Sequence, residues 1–221
     1  MTRPQPVPFP ITTSEGLRLE GVLHKAEGKG PWPGVVVCHP HPLYGGDMDH
    51  PLVVAVAQAL HTRGFCVVRF NFRGTGASEG VHSHGVKEVE DAAEALLALG
   101  MVPGVDNGRL GIVGYSFGAG IALEVASQPG MVQAVGAVAP PASALNHPAA
   151  AHTPVPKLFI CGDQDHIVPA EQFQFLVRRW AEPKEVHLLE GVDHFFRGAE
   201  RQVALLVADF FARWLGHGRL G

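Results

Sequence analysis

Apolar residues along the chain fall into short runs of strand length, separated by longer segments of helical period. The strand runs are Gly34–Cys38, Phe65–Phe72, Arg109–Tyr115, Ala134–Ala139, Lys157–Cys161 and Glu185–Leu189. Between them the spacing predicts helices over Pro51–Arg63, Val86–Gly100, Phe117–Ser127, Ala170–Ala181 and Glu200–Leu215. Such alternation is the mark of an α/β architecture, a mostly parallel central sheet with helices on both faces. Two of the runs, Val35-Val36-Val37-Cys38 and Leu158-Phe159-Ile160-Cys161, are continuously apolar, as strands covered on both sides are. Upstream, Leu17–Leu23 alternates after the turn-like Thr13-Ser14-Glu15-Gly16 and predicts half of an antiparallel hairpin at the sheet edge. The one long connection, Pro140–Pro156, is rich in Ala and Pro.

Composition narrows this picture. The 221 residues are 46% hydrophobic and 17% charged, which fits one globular domain over residues 1–221 and not a disordered chain. Lys and Arg total 17 against 21 Asp and Glu with no basic stripe, so a nucleic-acid partner is not expected. The first eight residues hold three prolines and no apolar signal core, and no run approaches the roughly 18 apolar residues of a membrane span. The expectation is a cytoplasmic protein without a membrane contact, monomer or homodimer. Its three cysteines, Cys38, Cys66 and Cys161, sit in or at the end of strand runs and read as buried core thiols, not as a disulfide framework.

Candidate chemistry begins where the strand Arg109–Tyr115 runs into Gly114-Tyr115-Ser116-Phe117-Gly118 and a helix opens. A G-x-S-x-G on a strand-to-helix turn forces a tight backbone and lifts the serine hydroxyl above the sheet beside the helix N-terminus. A serine needs a base and an orienting acid, expected in the chain order Ser, Asp or Glu, His. Gly162-Asp163-Gln164-Asp165 follows one strand and Glu190-Gly191-Val192-Asp193-His194 follows the last, so Ser116, an Asp and His194 share the C-terminal edge of the sheet.

With His39-Pro40-His41-Pro42 and Gly45-Gly46, then Arg69-Phe70-Asn71-Phe72-Arg73-Gly74, Gly76 and Ser78-Glu79-Gly80, these motifs cover nearly the whole chain. It resembles the α/β-hydrolase superfamily, and within it small bacterial hydrolases related to carboxylesterases. The resemblance implies an α/β-hydrolase fold with minimal or no lid, nucleophile Ser116, acid Asp165, base His194 and an acyl-enzyme opened by water. It implies no cofactor and no metal, and a small-molecule ester substrate. Asp163 instead reads as an acceptor that shapes its turn. Backbone N–H groups of Phe117 and His41 are the oxyanion-hole candidates, because Pro40 and Pro42 have no N–H. Tyr44 and Phe117 are candidate substrate contacts. A site without a cap is expected to be shallow and to favour short acyl chains.

Rival readings use the same residues. His39 and His41 with Asp47, Asp49 and His50 resemble a metal site only loosely, since neither the H-x-H-x-D-H nor the H-E-x-x-H pattern is present. His82 and His84 read as solvated loop residues, and Arg73 as the brace of a turn. Gly74-Thr75-Gly76-Ala77-Ser78-Glu79-Gly80 places Glu where a dinucleotide fingerprint needs its third Gly. Thioesterase, dienelactone-type lactone hydrolase and peptidase share the machinery. A non-catalytic binding protein on this fold would be expected to lose the triad, and all three positions are filled.

Overall fold

A computed structural model describes residues 5–216; the first four and last five positions of the 1–221 reading lie outside the described residues. Eight strands form one sheet: β1 (Val7–Pro8), β4 (Gly21–His24), β5 (Trp32–Cys38), β6 (Cys66–Phe70), β7 (Val105–Tyr115), β8 (Ala134–Val138), β9 (Lys157–Gly162) and β10 (Lys184–Leu189). Their spatial order is β1-β4-β6-β5-β7-β8-β9-β10, parallel from β6 to β10 and antiparallel at β1 and β4. Two short strands, β2 (Ile11–Thr12) and β3 (Arg18–Leu19), pair separately. The alternating run Leu17–Leu23 is therefore not one edge strand. It breaks between β3 and β4, and β4 lies inside the sheet between β1 and β6.

Continuous apolar strands are explained by their two-sided burial. Along β5, Val36 and Cys38 enter one core while Val35 and Val37 enter the other; along β9, Phe159 and Cys161 alternate with Leu158 and Ile160 in the same way. Helices α2 (Glu88–Gly100), α3 (Phe117–Ser127) and α6 (Ala170–Val177) cover the first face. Helices α1 (Pro51–Thr62) and α7 (Glu200–Leu215) cover the second. The three cysteines are buried and unbridged. No described helix is long and apolar enough to cross a membrane.

Element boundaries depart from the sequence pattern where local polar groups intervene. Strand β7 begins at Val105, not at Arg109, because Trp32 pairs with Val105 across a register shift and Asp106 accepts from the Gly108 N–H and the Arg109 guanidinium, ordering the polar stretch between them. Helix α6 stops at Val177, short of Ala181. The Pro140–Pro156 connection is not bare loop: it carries α4 (Ala142–Leu145) and α5 (Pro148–Ala151), one turn each, packed beside α3 and far smaller than a cap domain.

Buried polar groups tie the loops to this frame. Arg73 is buried and forks onto Asp91, Nη2 to Oδ1 at 2.7 Å, with its own N–H also on Asp91, in keeping with a bracing role. His39 donates from Nδ1 to the Pro40 carbonyl at 2.6 Å and accepts the Phe72 N–H at Nε2 at 3.0 Å, so its neutral form is fully used. Burial pushes His39 down to about 4. His24, which accepts Arg69 Nε–H, is pushed down to about 4 by burial and then by the Arg69 and His61 charges. In the unfolded chain both take a proton near 6.5, so between about 6.5 and 4 the unfolded state binds more protons than the folded one. The stability that these two neutral histidines allow is therefore expected to be full above about pH 6.5 and to fall as pH is lowered toward about 4. Urea unfolding across that range checks it; His24→Gln should remove part of the slope, and a flat profile contradicts the assignment.

Candidate active site

The strand β7 ends on Tyr115 and α3 begins on Phe117, leaving Ser116 alone to turn the chain. It does so at φ 54, ψ −116, a region that non-glycine residues rarely occupy. The turn is held because the Ser116 N–H donates to the Val138 carbonyl at 2.8 Å and the Ser116 carbonyl accepts from Ala119 at 2.9 Å. Glycine on either side is a steric requirement. A Cβ on Gly114 would strike the Gly118 carbonyl, and a Cβ on Gly118 would lie 2.5 Å from the carbonyl oxygens of both Cys38 and His39. Helix α3 thus starts hard against the end of β5.

A second close approach brings Asp165 and His194 together. The loops after β9 and β10 touch backbone to backbone: Asp163 N–H donates to Leu189 at 2.9 Å, Gln164 N–H to Val192 at 3.0 Å, and a Cβ on Gly162 would meet the Val192 carbonyl. Asp165 is then buried against His194, with Oδ2 2.7 Å from Nδ1, while His194 Nε2 is 3.0 Å from Ser116 Oγ. The other carboxylate oxygen, Oδ1, accepts the Ile167 and Val168 N–H groups, each at 2.8 Å. Burial alone raises the Asp165 carboxyl, but the bonds from His194 and from the Val168 and Ile167 N–H groups outweigh it and leave the net shift downward. Asp165 is therefore an ionised acceptor, and the Nδ1–H tautomer of His194 leaves Nε2 free to accept from Ser116.

Ser116 opens onto a cleft of about 450 Å³. His41, Tyr44, Phe117, Pro141, Ile167 and Phe195 form much of its wall, and no Lys, Arg, Asp or Glu lines it. Both sequence candidates for substrate contact are present, although Tyr44 is 88% exposed and stands at the rim, its ring 4.9 Å from that of His41. The Phe117 N–H heads α3, and the His41 N–H lies in the loop after β5; neither has a protein acceptor among the described residues. The His41 ring caps the short helical turn Pro42–Tyr44 by accepting the Leu43 N–H, and burial followed by the neighbouring His82 and His84 pushes its pKa down, so it faces the cleft uncharged.

His82 is not the solvated residue its polar loop suggests. Its side chain is 8% exposed, Nδ1 lies 2.9 Å from Glu88 Oε1, and the ring packs on His41 and Phe117. His84 is exposed. The loosely metal-like residues disperse into structural work: His39 as above, Asp49 paired with Arg69, and His50 accepting the Leu52 N–H. Among the described residues no His, Cys, Asp and Glu side chains gather to hold a metal ion. One contact that the motif did not reveal is Tyr115. Burial pushes its phenol up, so it stays protonated, and its hydroxyl donates to the His194 carbonyl at 2.8 Å beneath the imidazole.

Residues 19–210 match the model of the dienelactone hydrolase family. The chain belongs to that family. It is 33% identical over 201 residues to the uncharacterized protein RP471 of Rickettsia prowazekii, covering 87% of this chain and 84% of that one. Among solved structures it is similar to an alpha-beta serine hydrolase homologue from Coxiella burnetii, with a TM-score of 0.81 and 34% identity over 92% of this chain and 96% of that one. It is also similar to XC6422 of Xanthomonas campestris, described as an a/b serine hydrolase without lid, with a TM-score of 0.83 and 26% identity over 99% of both chains. This member of the dienelactone hydrolase family thus has the α/β-hydrolase fold, and it is a hydrolase.

The two neighbouring carboxylates have different partners, which separates their expected phenotypes. Asp163 Oδ1 accepts the Gly191 N–H at 2.7 Å and does not touch His194, so Asp163→Ala should lower stability by about 1 kcal/mol with little loss of turnover. Asp165→Asn should leave the protein folded and cut kcat by roughly 10⁴, through the wrong His194 tautomer. Turnover and melting temperature of both variants check this; activity lost at Asp163 and kept at Asp165 would reverse the assignment.

Proposed function

We propose that the protein is a serine hydrolase of small, uncharged carboxylic esters. The observation that carries the reading is the unbroken chain Asp165 Oδ2, His194, Ser116 Oγ, at 2.7 and 3.0 Å, ending in a cleft with no ionic side chain. Ser116 Oγ attacks the ester carbonyl carbon while His194 Nε2 takes its proton. The carbonyl oxygen becomes an oxyanion that accepts from the Phe117 and His41 N–H groups, both fixed in place before substrate arrives. The intermediate collapses, the C–O bond to the alcohol breaks, and His194 returns its proton to the departing oxygen. Water then attacks the acyl-enzyme while His194 takes one of its protons; the acyl C–O bond to Ser116 breaks, His194 returns that proton to Ser116 Oγ, and the carboxylic acid leaves. Asp165 holds the imidazole and carries its charge without taking the proton.

The absence of Lys and Arg from the described cleft wall favours a neutral substrate, since a carboxylate desolvated there would have no partner. A lactone fits the same steps, with the alkoxide remaining tethered to the acyl group, and the family match supports that second reading.

Hydrolysis of p-nitrophenyl butyrate by wild type, Ser116→Ala and the Ser116→Ala/His194→Ala double variant tests the proposal. Because the groups act as a unit, the single and double variants should lose similar amounts, on the order of 10⁶ in kcat, with melting temperatures near wild type. Activity that survives in Ser116→Ala, or that a chelator abolishes in wild type, overturns it.

A further inference from the structure

Beside the catalytic cleft lies a second one, of about 510 Å³, between α3 and the connection that carries α4 and α5. The two share Phe117 and Pro141. Apolar side chains of Val86, Val89, Ile121, Leu123 and Ala144 line it together with the polar His84, Ser143, Glu124 and His147, the last two 3.4 Å apart. None of its lining comes from the wall of His194, Ile167 and Phe195 on the other side of Ser116.

Gly120 sits on the floor of this second cleft, inside α3, and nothing in the packing demands glycine there. A Cβ built on it would first meet Ala144 Cβ at 3.4 Å and Pro141 Cδ at 3.8 Å, ordinary van der Waals distances, and its φ is not in the left-handed region. Gly118, two residues earlier, is the contrast, since its Cβ would press on backbone carbonyls. A mid-helix glycine gives up helix stability relative to alanine. At position 120 the missing methyl leaves room for about one more carbon on the wall that α3 shares with Ala144 and Pro141.

Chemistry assigns the occupant. The leaving oxygen must receive its proton from His194 Nε2, so the alcohol lies toward His194, Ile167 and Phe195. The acyl group stays on Ser116 Oγ and extends the other way, toward Phe117 and Pro141. We infer that the acyl chain of the substrate continues past Phe117 into the Gly120 cleft, so that the preferred substrates are esters of linear medium-chain acids. This rests on Ser116 being the nucleophile. It departs from the expectation, drawn from the short Pro140–Pro156 connection, that a shallow site favours short acyl chains.

The test measures kcat/KM on p-nitrophenyl acetate, butyrate and octanoate for wild type, Gly120→Ala, Gly120→Leu and Ala144→Leu. Wild type should prefer octanoate to acetate, and the octanoate-to-acetate ratio should fall by about tenfold or more in each leucine variant. Gly120→Ala should raise the melting temperature and lower the ratio by less. If Gly120→Leu does not fold, Ala144→Leu fills the same space from the opposite wall. A wild type that prefers acetate, or a ratio unchanged in the folded leucine variants, overturns the inference while leaving Ser116 as nucleophile. Ester hydrolysis that persists in Ser116→Ala would instead remove the mechanism on which the inference rests.

Discussion

The site depends on one steric constraint, the contact of Gly118 with the carbonyl ends of β5. With Cys38 and His39 oxygens 2.5 Å from where a Cβ would be, α3 starts packed against the end of β5, and the chain turns within the single residue Ser116. That forces Ser116 to φ 54 and costs of order 1–3 kcal/mol of local strain. The same contact sets the Phe117 N–H beside the loop that bears His41. The proposed nucleophile and oxyanion donors are therefore placed by one piece of packing, on the edge that the parallel order β5, β7, β8 supplies.

Polar groups hold what that packing cannot reach. Arg69 binds the Met48 carbonyl and the Asp49 carboxylate, Asn71 accepts the Met48 N–H, and His39 ties the start of the same loop to Phe72. Across the site, Asp165 takes two N–H groups from its own loop as well as His194, and Tyr115 bonds the His194 carbonyl. Each such bond contributes about 1 kcal/mol net, too little to dominate folding. Their value lies in position, because a displacement of about 1 Å at reacting atoms can cost 10²-fold in rate. The proposed triad is thus assembled on elements that these bonds tie to the frame.

Much of this was legible in the sequence, for identifiable reasons. Strands β5 and β9 are buried on both faces, so their continuous apolar runs carry their own signature, and the Gly-Tyr-Ser-Phe-Gly turn is recognisable because glycine is compulsory where backbones touch. Asp165, His194 and Ser116 could be assigned to one edge because parallel strands all end there. What stayed hidden depended on distant partners. The start of β7 at Val105 needs Trp32 from another strand, the break within Leu17–Leu23 is decided by which strand each half pairs with, and the burial of His82 follows from Glu88 and Phe117 closing over a polar loop. Gly120 and Gly118 look alike in the sequence; what distinguishes them is that a Cβ on Gly120 would meet Ala144 and Pro141 side chains at van der Waals distance, whereas one on Gly118 would strike backbone carbonyls.

The central claim is that this elbow makes Ser116, alone among the serines of the chain, a nucleophile toward carbonyl and phosphoryl centres. Its most direct measurement is reaction of the folded protein with a fluorophosphonate, followed by peptide mass mapping, with urea-unfolded protein as the comparison. The account predicts a single adduct per chain on Ser116, formed only in the folded state and in step with loss of esterase activity. An adduct on any other residue, or no adduct on a folded and active protein, would contradict it.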